Sequence, residues 1–292
     1  MKKTIVSTLA LVAAATAASA ADLPRRAAPP VFTPVPVFTW TGFYAGINAG
    51  YAWNSDSARL HNADGEADTT KYISDLGIAR TRPHSSGFAG GAQLGYNYQF
   101  TPGSGLVVGL EADAQYTDLN KRHTRAGNYV SAESVGTFAG PFSYSERNSL
   151  QYLGTVRGRL GYAFDRVLVY GTGGFAYGQV KYDSVLTDGY TLTSPLGVAL
   201  ATGNDKYVAR STKLQTGYAY GGGIEYALPT DSFLNVFRAS AVTLRAEYLH
   251  YDLGSRNIVA YDVVDKAATF RSKVHTQGNI FRVGLNYKFG TY

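Results

Sequence analysis

Two sets of residues could do chemistry. The five histidines, His61, His84, His123, His250 and His275, all stand in or beside polar stretches, and imidazole is an axial ligand of haem iron. Tyr72, Tyr129 and Tyr261 could stack on a porphyrin, and Arg122, Arg125, Arg271 and Lys273 could pair its propionates. The plainer alternative is that polar stretches collect histidines. The second set is Glu111, Asp113, Arg157, Arg159, Glu225, Arg245, Glu247 and Arg282, charges of both signs inside otherwise apolar alternating segments. Such charges either line a narrow ion path or pair with one another in a filled interior, and a narrow barrel favours the second. Serine, aspartate and histidine show no nucleophile-elbow or zinc-ligand pattern, and no Walker sequence is present. The glycines at 171–178 and 221–223 open onto no helix, so they make no phosphate cradle. The expectation is no enzyme and no metal.

The elements that carry these residues are strands. Alternation sets Phe43, Ala45, Ile47, Ala49, Tyr51 and Trp53 against Gly46, Asn48 and Gly50, with Tyr44 near one end. It recurs in Phe88 to Phe100, in Leu106 to Thr117, and in Leu150 to Phe164, where Leu150, Tyr152, Val156 and Leu160 oppose Gln151, Thr155, Arg157 and Arg159. Three later segments repeat it, Leu214 to Leu228, Ala241 to Asp252 (Val242 and Leu244 against Thr243 and Arg245) and Asn279 to Phe289. Val167 to Tyr182 is also a strand, but both of its faces are apolar or glycine, and a bulge could reset its phase. Eight strands result. Period two sustained over ten or more residues is about twice a usual strand, the length a tilted strand needs to cross a bilayer.

Composition agrees. The 292 residues are 45% hydrophobic and 16% charged, with 33 glycines and 23 tyrosines, too aromatic and too weakly charged for disorder. The absence of cysteine excludes a disulfide scaffold, a thiol nucleophile and an iron–sulfur cluster. A net charge of +6 raises the question of nucleic acid, but no dense Lys/Arg cluster supports it. At the start, Lys2 and Lys3, an apolar run from Ile5 to Ala15 and Ala18-Ser19-Ala20 form a signal peptide, expected to be cleaved after residue 20. Residues 21–39, with Pro24, Pro29, Pro30, Pro34 and Pro36, read as an extended periplasmic tether, leaving 40–292 for the strands.

Connection lengths alternate. Long polar segments at 55–87, 119–148, 183–213 and 253–278 are separated by short ones at 101–105, 165–166 and around 229–232. Long outer loops, short periplasmic turns and an even strand number describe an up-and-down, eight-stranded antiparallel transmembrane β-barrel, all-β. A soluble barrel would turn the charged, glycine-bearing face to water and crowd aromatics into a narrow interior. The reverse orientation lets opposite charges pair inside and sets aromatics at both membrane interfaces.

Ala21-Asp22-Leu23-Pro24, Trp40-Thr41-Gly42-Phe43-Tyr44-Ala45-Gly46 with Asn48-Ala49-Gly50-Tyr51, Glu247-Tyr248-Leu249-His250-Tyr251-Asp252-Leu253-Gly254 and Val283-Gly284-Leu285-Asn286-Tyr287-Lys288-Phe289 resemble small porin-like outer-membrane proteins of alphaproteobacteria. That family comprises twenty-five- and thirty-one-kilodalton major outer-membrane proteins and haemin-binding relatives. The final aromatic, Tyr292, stands out of phase with Phe289. The resemblance implies residence in a Gram-negative outer membrane among lipid and lipopolysaccharide, and delivery by the barrel-assembly machinery. Three roles follow: a structural surface protein contributing to envelope integrity and contact with host or surface ligands, a narrow porin for small solutes, or a haemin-binding protein using the histidines. The first leads, with no cofactor and no nucleic-acid partner.

Overall fold

The computed structural model describes residues 37–62, 67–229, 242–264 and 268–289. The expected signal peptide, most of the proline-rich segment, most of the turn near 229–232 and Tyr292 lie outside the described residues. Strands run β1 Gly42–Asn54, β2 Ser57–Asn62, β3 Arg80–Thr81, β4 Ser86–Gln99, β5 Ser104–Leu119, β6 Arg122–Glu133, β7 Gly136–Phe164, β8 Val167–Thr193, β9 Ala199–Ala227, β10 Val242–Asp262 and β11 Ala268–Phe289. Among the described residues one helix, α1 (Ala67–Asp75), lies between β2 and β3. Strands β1, β4, β5, β7, β8, β9, β10 and β11 pair antiparallel in that order, and β11 closes on β1 from Phe43↔Phe289 to Asn54↔Gly278. This is the expected eight-stranded up-and-down barrel.

One end carries short turns. Phe164 pairs with Val167 across two residues, and Asp165 there takes the left-handed backbone (φ 53°) that such a hairpin requires. The other end differs from expectation. The polar segments after residues 119, 183 and 253 are not loops. Strands β8 and β9 stay paired out to Thr193↔Ala199, β10 and β11 out to Tyr261↔Ala268, and β6 pairs with the outer half of β7. The strands therefore continue well past the membrane as hairpins.

Two further differences concern phase. Strand β8 needs no reset: Leu168, Tyr170, Ala176, Val180 and Tyr182 are buried inward, and Val169 and Phe175 face out. The irregularity lies in its neighbour β7, between Leu150 and Leu153, where one extra residue is inserted. Leu150 and Leu153 consequently both point inward and Gln151 faces out, reversing the strict alternation expected there. Val242, expected outward beside Leu244, is also buried. Phe38 and Thr39, counted with the tether by composition, pack at the barrel mouth, where Lys288 Nζ donates to the Thr39 carbonyl at 2.6 Å.

The outer wall presents Ile47, Leu94, Leu110 and Leu285, the first three more than 60% exposed. Tyr98, Phe100, Tyr162 and Phe164 ring the short-turn end, and Tyr51, Trp53, Phe88, Tyr116, Tyr248 and Phe281 ring the other. An apolar band between two aromatic girdles is the lipid-facing surface of a membrane barrel.

Candidate functional site

The interior is stacked in layers. At the short-turn mouth Phe38, Trp40, Val107, Leu168 and Tyr170 form an apolar floor, tied down by Trp40 Nε1 donating to the Asp165 carbonyl at 3.0 Å. Above it lies the charged layer. Antiparallel register puts Glu111 opposite Arg157, Glu225 opposite Arg245 and Glu247 opposite Arg282, all inward because each strand's apolar residues take the lipid face. Arg157 reaches Glu111 and Asp113 at 2.7 Å each and Glu247 at 3.2 Å. Arg245 meets Glu111 and Glu247 at 2.5 Å, and Arg282 meets Glu247 at 2.5 Å and Asp113 at 2.9 Å. Arg159 pairs with Glu225 and stacks on Tyr170, 3.6 Å from the ring centroid. The eight charged residues singled out in the sequence thus converge, and their side chains are 0–3% exposed.

Neutral partners complete the layer. Tyr44 donates to Glu111 at 2.6 Å, Tyr170 to Glu247 at 3.2 Å, and Thr155 to Asp113 at 2.9 Å. Asn286 donates to Glu225 at 2.7 Å and accepts from Gln93 at 2.7 Å. These partners were not picked out from the sequence. The signal for the tyrosines is the glycine beside each: a Cβ on Gly95 would come within 2.5 Å of the Tyr44 ring, and one on Gly223 within 2.7 Å of the Tyr170 hydroxyl.

Past the charged layer an apolar layer of Leu119, Leu150, Leu153, Val180, Leu249, Tyr251 and Ile280 spans the barrel. Beyond the outer aromatic ring sits Asp56, buried, accepting from Asn54 (2.5 Å), Asn148 (2.7 Å) and the Gln277 backbone (3.1 Å). None of these donors is a cation, and burial pushes its carboxyl up to about 7. Glu146 and Asp188, farther out, are also raised by burial. The outermost interior is a conventional core in which Tyr72, Ile73, Leu76 and Ile78, from α1 and the chain after it, pack on Tyr129, Phe142, Tyr144, Ile258 and Phe270.

The histidines stay apart, except that the His123 ring meets the His84 carbonyl at 2.7 Å. His250 is bonded to Asn279 (2.8 Å), His275 to Ser255 (2.9 Å) and Asp252 (3.3 Å), and His61 lies on β2 opposite Arg271. Tyr72 and Tyr129, considered above for stacking on a porphyrin, are buried against each other with ring centroids 5.3 Å apart. Among the described residues no three His, Asp or Glu side chains are grouped to hold a metal ion.

A closed antiparallel barrel with an apolar outer band, aromatic girdles and ion-paired interior is a membrane-spanning barrel. The chain belongs to the outer membrane protein beta-barrel domain family, whose model matches residues 7–289. It is 36% identical to a 31 kDa outer-membrane immunogenic protein of Brucella melitensis, over 99% of this chain and 100% of the relative. It is 27% identical to a 25 kDa outer-membrane immunogenic protein of the same organism, over 99% of each. Among solved structures, the outer membrane protease OmpT of Escherichia coli is 12% identical with a TM-score of 0.40, covering 88% of this chain and 100% of that one. The protein resides in the Gram-negative outer membrane.

Proposed function

We propose that the protein is a structural, surface-exposed barrel that contributes to envelope integrity and external contact, without passing solutes and without catalysis. The observation that carries this reading is the charged layer. Its guanidinium and carboxylate groups are 0–3% exposed, so a water-sized sphere does not reach them, as it would in an open pore. All eight barrel strands contribute to the hydrogen-bonded plug, from Tyr44 on β1 and Gln93 on β4 to Arg282 on β11. The projecting hairpins supply the surface for external contact, and the relatives' description as immunogenic outer-membrane proteins supports exposure of that region. The haemin reading draws less support, because the cleft that holds His123 with Arg82 and Arg125 measures about 170 Å³, below the roughly 300 Å³ at which ligand pockets begin. The test is planar-bilayer recording with the refolded protein. The expected result is no steady conductance, and a stable wide pore would overturn the proposal.

A further inference from the structure

On the outside of the barrel, above the outer aromatic ring, one patch consists of like charges in register. Lys273 on β11 lies directly opposite Arg59 on β2, and Arg59 directly opposite Arg80 on β3. Two residues farther along β11, Arg271 lies opposite His61. All five are exposed, while the alternating Ala58, Leu60, Phe270 and Val274 point into the outer core. Like charges facing one another across adjacent strands weaken the pairing. Yet among the described residues none of the five side chains has an ion-pair or hydrogen-bond partner. Elsewhere on the wall the pattern differs, since Lys181 and Arg210 share Asp183 at 3.9 Å from each. A row of cations on a folded sheet with no acidic partner among the described residues is a site for an anion supplied from outside.

Position narrows the anion. Arg59 lies six residues beyond the girdle residue Trp53, and Lys273 eight residues before Phe281 on β11. At about 3.3 Å per residue and a strand tilt near 40°, the row stands roughly 15–20 Å above that girdle. A phospholipid headgroup fills only about 5–8 Å beyond the hydrocarbon. The anion must therefore sit on a taller headgroup lying beside the wall. We infer that Arg59, Arg80 and Lys273, with Arg271 and His61 above them, bind the phosphates of the phosphorylated saccharide headgroup of outer-leaflet lipopolysaccharide. This holds whether or not the lumen conducts.

The test uses the full chain refolded in detergent micelles and titrated with purified lipopolysaccharide carrying its sugar phosphates. Parallel arms use the same lipid enzymatically dephosphorylated, inorganic phosphate alone and a soluble sulfated polysaccharide. The variant Arg59→Gln/Arg80→Gln/Lys273→Gln should bind the phosphorylated lipid roughly hundredfold more weakly, at about fivefold per cation, and Lys181→Gln, on β8 across the barrel wall from β11, should bind as the parent does. Without lipid the triple variant should melt no lower than the parent, because repulsion has been removed. Should it refold poorly, Arg59→Gln alone should show the fivefold loss. Unchanged binding by these variants, equal binding of the dephosphorylated lipid, or saturation by inorganic phosphate at the same concentration would each overturn the inference. Tighter binding of the sulfated polysaccharide than of the lipid would also overturn it, assigning the patch to an external glycan.

Discussion

Glu247 is the sharpest place to test the charged layer. It meets Arg157, Arg245 and Arg282 within 3.2 Å and accepts from Tyr170. The layer is balanced as it stands, Arg157, Arg159, Arg245 and Arg282 against Glu111, Asp113, Glu225 and Glu247. Glu247→Gln keeps the volume and leaves one uncompensated positive charge where side chains are almost fully excluded from water. Breaking one partner of a buried pair costs about 3–5 kcal/mol. Glu111 and Asp113 still hold the three guanidiniums, so the expected loss is near the lower end, about 3 kcal/mol. Arg282→Gln should cost a similar amount, because Asp113 and Glu247 then share only Arg157 and Arg245 and the layer carries one uncompensated negative charge. The double variant restores neutrality, and its loss should fall short of the sum of the singles by more than about 1 kcal/mol. Urea unfolding in lipid vesicles, followed by tryptophan fluorescence from Trp40 and Trp53 and by gel mobility, measures all three. A Glu247→Gln barrel within about 0.5 kcal/mol of the parent, or additive losses in the double variant, would refute the idea that mutual pairing holds this layer.

Three other outcomes follow from the same geometry. Leu110→Arg places a cation in the lipid-facing band and should cost roughly 2–4 kcal/mol in urea unfolding, whereas Val130→Arg, equally exposed but on β6 above the membrane, should change stability by less than about 0.5 kcal/mol. Asp56 is raised from an ordinary 3.8 to about 7, so the folded state binds the extra proton and its contribution is fully present below about pH 4 and lost as pH rises to 7, by at most about 4 kcal/mol. Protection factors of the outer-hairpin amides, which remove the intrinsic pH dependence of exchange, should accordingly fall over that range, and Asp56→Asn should flatten the response. Haemin titration of the parent and of a variant lacking all five histidines should give the same Soret change; a shift lost only in the variant would revive the haemin reading.

The barrel and the membership of its charged layer were legible because the relevant signal is strictly local. A strand with period two and one lipid face assigns every side chain to inside or outside, and eight such strands leave charges such as Arg157 and Glu247 nowhere to go but the centre. Which carboxylate meets which guanidinium depends on register across strands far apart in sequence, as between Arg245 and Glu111. The bulge before Leu153 was illegible for a related reason. Leu150, Gln151 and Tyr152 fit strict alternation as well as they fit an inserted residue, and only the pairing with β8 decides between them.

The misread outer segments have a single physical cause. Within the bilayer the barrel is apolar outside and charged inside, and above the bilayer the same strands need the opposite polarity. Strand β11 makes the change without breaking phase. Its inward residues run Lys288, Asn286, Arg282, then Ile280, Val274 and Phe270, while its outward residues run Leu285, Val283, Phe281, then Asn279, Lys273 and Arg271. Strand β8 makes it between Phe175 and Lys181, which is why its two faces could not be told apart from sequence. A search for one constant apolar face ends each strand at the interface and takes the remainder for polar loop. The inversion itself is the better signal. Where alternation continues but its polarity flips, the strand has left the lipid, and the residues facing outward from that point on, Arg59 and Lys273 among them, face whatever lies above the hydrocarbon.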